Sequence, residues 1–173
     1  ASDVYKRQAG TNGKGSCVAV MESILLEAGY RVGAVTSPHL LHFTERLRIN
    51  KKNIDEKKLC EAFYVVFEAE KTIDFQLYYY RFIHLSMLYL CFHEKLDVAL
   101  LEVGLGGRSD SINLIDPNIA VVTSVGLDHC AILGNTRELI AREKAGIFRP
   151  NISVVSGEEE GERLLKPFSD ELT

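Results

Sequence analysis

The chain has 173 residues, of which 46% are hydrophobic and 25% are charged, and its formal net charge is −4. This balance is typical of a globular protein with one substantial core, and its sign gives no electrostatic reason to expect a nucleic acid partner. The four cysteines have no C-x-x-C spacing, so we expect reduced thiols and neither a disulfide framework nor a zinc site. No apolar stretch reaches the roughly 18 residues that cross a membrane, and we expect a cytoplasmic protein without membrane contact.

A glycine-rich segment near the start, AGTNGKGS at 9–16, directly precedes a segment with helical apolar periodicity. Backbone amides free of Cβ crowding, a lysine and a helix N-terminus together favour the binding of a phosphate chain. The spacing G-x-x-G-K-G-S differs slightly from the common G-x-x-x-x-G-K-[ST] pattern. The segment therefore predicts a phosphate-binding loop, with a glycine-rich turn that only caps a helix as the alternative.

Helical and strand patterns alternate along the rest of the chain. Helices are predicted over 14–27, from an Asp55 N-cap to 70, over 79–93, from a Thr136 N-cap to 147, and over 158–165. Strands are predicted over 31–36, 97–102, 119–123 and 153–156, and a long loop is predicted from Ser37 to Asn50. The alternation predicts an α/β fold with a doubly wound, mostly parallel sheet.

Both ends of the chain depart from this pattern. A phosphate loop normally follows a buried apolar strand, but residues 1–8 are mostly polar. We expect them to be a non-native segment in place of the first strand. Residues 169–173 stop within an unfinished unit, so we expect a fragment truncated at both ends.

Polar residues follow the predicted strands at their carboxyl ends: Ser37, Glu102, Asp128 and His129. Ligands bind at this edge of open parallel sheets, so an active site is predicted at the mouth of the phosphate loop. Taken singly, each residue also has a simpler interpretation. Glu102 could be a solvated strand-end acid, His129 a loop histidine bonded to backbone, and Lys144 a surface lysine.

The ordered motifs AGTNGKGS, TSPHL, ERLRI, LEVGLGGR-x-D, TSVGLDH and AREKAGIF resemble the folylpolyglutamate synthase/dihydrofolate synthase family of the Mur ligase superfamily, over about 9–155. The resemblance implies a Mur ligase central-domain fold and an ATP-dependent carbon–nitrogen ligase of folate biosynthesis and one-carbon metabolism. Such enzymes add L-glutamate to dihydropteroate or a reduced folate through an acyl phosphate. It further implies that 9–173 is a partial ATP-binding domain, that the C-terminal ligase domain is absent and the fragment inactive, and that the full-length protein is a monomer.

The resemblance also assigns roles to residues of this chain. The ATP phosphates would be held by Thr11, Asn12, Gly13, Lys14, Gly15 and Ser16. Ser37 and Glu102 would bind a first Mg²⁺, and His129 would bind a second one supported by a carbamylated Lys144. Lys14, Lys144 and His129 would thus be the catalytic residues.

The implied contacts to the pteroate are Tyr78, Tyr79, Tyr80, Arg81, Ser109, Asp110 and Ser111. Here the sequence departs from the family pattern. Arg81 replaces an acid, Ser109-Asp110-Ser111 replaces Leu-Asp-Ala, and Asn135 replaces an aspartate. The departures concern the preference for pteroate and not the ATP chemistry. Packing at a helix start is the alternative interpretation of the tyrosines.

Three other functions stay open at this point. One is a Mur-type ligase that adds an amino acid to a peptidoglycan precursor, another is a phosphate-loop module without ligase chemistry, and the last is an inactive remnant. The Ser37-Pro38-His39-Leu40 loop followed by Glu45-Arg46-Leu47-Arg48 favours the folate branch. The N-K-x-D motif of a switch GTPase is missing from the sequence.

Overall fold

A computed structural model describes residues 4–172, in which a single seven-stranded sheet runs through the molecule. The strands are β1 (Val4–Ala9), β2 (Val32–Val35), β3 (Leu47–Ile49), β4 (Lys52–Asn53), β5 (Val98–Glu102), β6 (Ile119–Val122) and β7 (Ser153–Ser156). Their order is β4-β3-β2-β5-β1-β6-β7. Neighbouring strands from β2 to β7 in this order are parallel. Strand β3 pairs antiparallel with both β2 and β4. The predicted mostly parallel sheet is confirmed.

Helices connect the strands: α1 (Lys14–Glu27), α2 (Glu56–Glu70), α3 (Tyr79–His93), α4 (Cys130–Leu133), α5 (Arg137–Ala145), α6 (Gly161–Leu164) and α7 (Lys166–Asp170). Both predicted N-caps form, because Asp55 accepts from the amides of Lys57 and Lys58, and Thr136 accepts from that of Leu139. Of the helix predicted over 158–165, only Gly161–Leu164 is helical, and the separate short helix α7 follows it. Pro167, near the start of α7, lacks the N–H that a continuous helix would need. Every helix within 4–172 is too short or too polar to span a bilayer.

The sheet buries apolar side chains on both faces, as a doubly wound fold requires. On one face α1 packs through Val18 against Val32, Ala34, Val98 and Leu100. On the other face α2, α3 and α5 pack against Val35, Ala99 and Leu101 through side chains such as Leu59, Met87 and Ile140. The carboxyl ends of the central strands are left free to form a site.

The segment predicted as a loop between Ser37 and Asn50 contains a 3₁₀ helix (Phe43–Arg46) and strand β3, which forms a hairpin with β4. Asn50 and Lys51 make the two-residue turn with φ of 50° and 64°, as a type I′ turn requires. The Asn50 side chain also accepts from the amide of Val32. The alternation of Leu47 and Ile49 with arginines is a strand pattern, which the prediction of a ligand-rich loop missed.

The polar segment before the phosphate loop forms β1, the strand between β5 and β6. The expectation that no first strand would form here is therefore wrong for residues 4–9. Arg7 and Gln8 are fully buried in this strand, and Arg7 Nε and Nη2 and both amide atoms of Gln8 have no hydrogen-bond partner. Burial, together with the charge of Arg149, lowers the pKa of Arg7 to about 10. A non-native origin of 1–8 stays a prediction, and residues 1–3 and 173 lie outside the described residues.

Candidate functional site

The glycine-rich loop between β1 and α1 is fixed to the loop that follows β6. The amide of Thr11 donates to the Ser124 carbonyl (2.9 Å), and that of Asn12 donates to Ser124 Oγ (3.0 Å). Thr123 Oγ1 in turn donates to the Asn12 carbonyl (2.6 Å). A Cβ on Gly10 would lie 1.8 Å from Thr123 Oγ1, so only glycine permits this approach. The two loops form one rigid wall.

This loop exposes donors toward the sheet edge. Gly13 is the N-cap of α1 with φ 81° and supplies no side chain, so the first amides of the helix have no partner within it. Lys14 folds back and donates through Nζ to the Gly10 carbonyl (2.9 Å). Free amides, a helix N-terminus and an ammonium group together form a site for phosphate. The predicted residues 11–16 all lie in this loop and the first turn of α1.

Ser37 and Glu102 meet at the ends of the neighbouring strands β2 and β5. The amide of Ser37 donates to Glu102 Oε2 (3.2 Å), and Glu102 is 5% exposed. Its Oε1 lies 4.0 Å from the position that a Cβ on Gly15 would take. Burial raises the pKa of Glu102, although the Ser37 amide and the charges of Lys14 and Arg48 oppose the rise. A cation that approaches this carboxylate would therefore stabilise its charged form.

Within residues 4–172, no group of three or more His, Cys, Asp or Glu side chains could hold a metal ion. Mg²⁺ does not need such a group, because it commonly takes one or two protein oxygens together with phosphate oxygens and water. The Ser37 hydroxyl and the Glu102 carboxylate are donors of this kind. They fit a magnesium ion that arrives with a nucleotide.

Lys144 lies in α5 and is 3% exposed, so it is not a surface lysine. Burial, reinforced by the charge of Lys14 and opposed by that of Asp128, lowers its pKa to about 8. His129 follows Asp128 in a left-handed conformation (φ 50°), and its exposed ring places Nε2 3.6 Å from Asp128 Oδ2. The β6 loop and α5 thus bring a low-pKa amine, a carboxylate and an imidazole toward the phosphate loop.

A cavity of about 1040 Å³ joins the phosphate loop to an aromatic surface. Lys14, Ser37 and His129 line it. The predicted substrate residues also line it, namely Tyr78, Tyr79, Tyr80, Arg81, Ser109, Asp110 and Ser111. The three tyrosines are 58–69% exposed, so they are available for stacking and are not buried helix-start packing. A smaller cavity of about 640 Å³ is lined by Gly15, Ser37 and Glu102, among others.

Not every predicted residue lines the larger cavity. Glu102 lines only the smaller one, and Lys144 lines neither. Asn135, the third departure from the family pattern, is exposed and lines neither cavity. Asp110 has a structural role besides its place in the wall. Its carboxylate accepts from the amides of Gly104, Leu105 and Ile112, which fixes the glycine loop after β5.

Two further residues of the cavity wall, Arg46 and His84, were given no role from the sequence. Arg46 is 6% exposed, donates through Nε to His39 Nδ1 (2.9 Å) and lies over the Phe43 ring. His84 is buried in α3 and contacts Ser111. The sequence signal for His84 is its position in a helix predicted to be apolar, one helical turn after Tyr80.

The fold and the site define a phosphate-loop nucleotide-binding domain of the α/β class. Residues 9–166 match the Mur ligase middle domain, and the chain belongs to the Mur ligase family. It is 48% identical over 149 residues to a dihydrofolate synthase/folylpolyglutamate synthase of Haemophilus influenzae, covering 86% of this chain and 33% of that protein. The Escherichia coli protein of the same name is 47% identical over 152 residues, covering 88% and 36%.

Solved structures of such proteins have the same fold. E. coli FolC in complex with DHPP and ADP superimposes with a TM-score of 0.90 at 43% identity, covering 96% of this chain and 39% of that one. The Yersinia pestis bifunctional folylpolyglutamate synthase/dihydrofolate synthase with AMPPNP and Mn gives 0.91 at 45% identity, covering 98% and 41%. The present chain spans about a third of the length of the curated relatives it matches.

Proposed function

We propose that the chain is the ATP-binding part of a ligase that joins L-glutamate to the carboxylate of dihydropteroate or a reduced folate. The observation that carries the proposal is one cavity lined both by the phosphate-loop lysine and by three exposed tyrosines. A nucleotide at Lys14 and a flat aromatic acceptor on the tyrosines would then face the same space. The similarity to enzymes with folate ligase names supports this acceptor class, and membership of the Mur ligase family favours a ligase over a phosphate-loop module without ligase chemistry.

In this proposal residues 11–16 hold the nucleotide phosphates. The amides at the start of α1 donate to phosphate oxygens, and Lys14 exchanges the Gly10 carbonyl for the phosphate chain. Its charge offsets the repulsion between ATP and the acceptor carboxylate, two anions that must approach each other. Positioning and positive charge are what phosphoryl transfer needs most.

Ser37 and Glu102 would hold a first Mg²⁺, and His129 would contact a second one. A bound Mg²⁺ supplies charge stabilisation for the transferring phosphoryl group. Lys144 would support the second ion only after carbamylation, because an ammonium group repels a cation. The lowered pKa of its buried amine supports this step. The neutral nitrogen forms a bond to the carbon of CO₂ and releases a proton to water, so that a cation becomes an anion.

The reaction itself then needs no nucleophile from the protein. An acceptor carboxylate oxygen attacks the γ-phosphorus, the bond to the β-phosphate oxygen breaks, and ADP leaves. The amine of glutamate attacks the acyl carbon of the acyl phosphate, inorganic phosphate leaves, and the nitrogen loses a proton. The departures at Arg81, Ser109 and Ser111 lie at the acceptor end of the cavity, where they bear on the choice between dihydropteroate and reduced folate.

The test compares the chain with a full-length protein that contains it. We expect the chain to bind AMPPNP with Mg²⁺ but to show no turnover, because it spans only about a third of the length of the relatives with folate ligase names. The full-length protein should incorporate labelled glutamate into dihydropteroate, tetrahydrofolate or both, and Lys144→Ala should abolish incorporation. Incorporation into neither acceptor, with nucleotide binding intact, would contradict the folate assignment.

Carbamylation of Lys144 has a separate readout. Native mass spectrometry in isotope-labelled bicarbonate should show one labelled carboxyl group on the chain and none on the Lys144→Ala variant. An unmodified parent chain at saturating bicarbonate would remove the second metal site from the proposal without affecting nucleotide binding.

A further inference from the structure

His84 is a buried polar residue in the wall of the larger cavity. It is 4% exposed and follows Tyr80 by one turn of α3, with 6.4 Å between the two ring centroids. Its Nδ1 lies 2.6 Å from Ser111 Oγ and 3.5 Å from Asp110 Oδ1. The ring is therefore held from one side by two residues of the loop that follows β5.

The surroundings of His84 fix its protonation state. Burial lowers the pKa of His84, and the charge of Arg46 lowers it further although Asp110 opposes this, so the ring is neutral with one donor and one acceptor nitrogen. The Asp110 carboxylate accepts only from backbone amides and lies beside Nδ1. A carboxylate at this place favours the proton on Nδ1, which leaves the lone pair on Nε2.

The second nitrogen has no partner in the part of the chain that the structure describes. Within 4–172 the only fully buried side-chain atoms without a hydrogen bond belong to Arg7 and Gln8. The hydrogen-bond and ion-pair contacts of the His84 ring within these residues are made through Nδ1, and His84 lines the larger cavity. The structure thus places a fixed acceptor in the wall of the cavity that the three tyrosines also line.

We propose that His84 is a specificity-determining residue whose Nε2 accepts a hydrogen bond from an N–H group of the heteroaromatic ring of the acceptor substrate. Ser111 and Asp110 orient the imidazole, and the ring of the acceptor stacks on the neighbouring tyrosines with its N–H edge toward Nε2. The inference rests on the proposed function and names the residue that reads the acceptor ring. It also gives Ser111, a departure from the family pattern, a partner in this chain.

The test uses two variants that each keep one half of the imidazole. The His84→Gln side chain can place an acceptor oxygen near the position of Nε2, whereas the His84→Asn side chain reaches only the position of Nδ1 and Ser111. The probe is dihydropteroate, titrated by calorimetry into the chain with AMPPNP and Mg²⁺ at saturation. We expect His84→Gln to bind within about threefold of the parent and His84→Asn to bind about tenfold more weakly, the cost of one lost hydrogen bond.

Ser111→Ala is the third variant. It leaves His84 in place but frees its ring, and we expect dihydropteroate to bind about threefold more weakly. AMPPNP affinity should not change in any of the three variants, and thermal unfolding shows whether each is folded. If His84→Asn does not fold, the Ser111→Ala and His84→Gln results decide the inference.

The opposite order, tight binding by His84→Asn and weak binding by His84→Gln, would mean that His84 only supports Ser111, and would overturn the inference. Equal binding by all variants would overturn it too, while the proposed function would stand. A parent chain that binds AMPPNP but neither dihydropteroate nor tetrahydrofolate would instead refute the acceptor assignment, and this inference with it.

Discussion

At the scale of single residues, the site contains two ionisable groups that are buried where charge is unfavourable. Lys144 is 3% exposed and Glu102 is 5% exposed. Burial lowers the pKa of Lys144 and raises that of Glu102, so it favours the neutral form of each side chain. Such groups destabilise a fold unless a ligand compensates for the lost water. Both therefore make a testable link between stability and ligand binding.

Lys144→Met should stabilise the chain near neutral pH. The pKa of Lys144 falls from 10.5 to about 8 on folding, so the unfolded state binds more protons between these values and stability rises with pH across this window. At about pH 7 the full cost of a buried ammonium is present, and we expect a gain of about 1–3 kcal/mol that shrinks toward pH 10. Urea unfolding in bicarbonate-free buffer measures it, with exposed Lys57→Met as the control. If Lys144→Met were less stable than the parent at neutral pH, the burial of the Lys144 ammonium group would not be unfavourable.

Glu102→Gln should separate folding from metal binding. Because burial raises the pKa of Glu102, the parent loses stability as pH rises above the ordinary value of 4.5, and the neutral amide avoids this loss. We expect unfolding stability at neutral pH that is equal to or above that of the parent. Affinity for AMPPNP with Mg²⁺ should fall at least about tenfold, whereas affinity without metal should change little. Unchanged affinity with Mg²⁺ would exclude Glu102 as a metal ligand.

At the scale of elements, the site depends on contacts between loops that follow different strands. Hydrogen bonds join the phosphate loop to the β6 loop, Asp110 fixes the glycine loop after β5, and glycines permit close approach between backbones. Changing one glycine or one ion pair should therefore alter a neighbouring loop. Two substitutions test this.

Gly10→Ala should disrupt both stability and nucleotide binding. Its Cβ would meet Thr123 Oγ1 at 1.8 Å and the Ser124 amide nitrogen at 3.3 Å, so the backbone of the β6 loop must move. We expect a loss of about 2–4 kcal/mol and no measurable AMPPNP binding. Gly29→Ala is the matched control, since it has φ 85° and no atom within 4 Å of the new Cβ. It should cost about 1 kcal/mol and leave binding intact. Equal effects of both substitutions would mean that close packing at Gly10 is unimportant.

Arg137 and Glu158 clamp the start of the loop that carries Asp128 and His129. Glu158 accepts from the Val125 amide (2.6 Å), Arg137 donates to the Val125 carbonyl (2.9 Å), and the two side chains pair at 2.6 Å. Although burial opposes ionisation of Glu158, the amides of Val125 and Glu160 and the charge of Arg137 lower its pKa. The clamp therefore stabilises the fold above the ordinary glutamate pKa and is lost as pH falls through the lower folded value.

Glu158→Gln should cost about 1 kcal/mol at neutral pH, and the gap to the parent should close below about pH 4. Chemical unfolding at several pH values measures this gap, and exposed Glu159→Gln is the control. A gap that does not depend on pH would show that the charge of Glu158 contributes nothing to the clamp.

At the scale of the whole molecule, β1 is an interior strand of the sheet, between β5 and β6. Its buried Arg7 and Gln8 leave four polar atoms without hydrogen bonds, which is costly in a protein interior. Arg7→Leu and Gln8→Val should therefore raise unfolding stability by about 1–3 kcal/mol each. Asn113, which Arg7 contacts, keeps its bond from Arg149. Arg7→Lys, which retains the charge, should give no gain in stability in urea unfolding. A loss of stability with the apolar variants would show that the buried polar groups of Arg7 and Gln8 do not destabilise the fold.

The sequence by itself determined the elements whose pattern is local. Helix α3 lies at 79–93 as predicted, Asp55 and Thr136 cap their helices, and the phosphate loop directly precedes α1. Apolar periodicity, caps and glycines act between residues close in the chain, so they can be recognised without a structure. The ordered motifs likewise identified the family.

Only the tertiary structure decided the features that depend on distant partners. Polar β1 is a strand because β5 and β6, about a hundred residues away, pair with both of its edges. Lys144 is buried because the phosphate loop and the β6 loop come together beside α5, and His84 faces a cavity because the loop after β5 fixes Ser111 against it. Burial, pKa and cavity shape come from contacts made across the fold, and no local pattern in the chain records which distant residues will supply them.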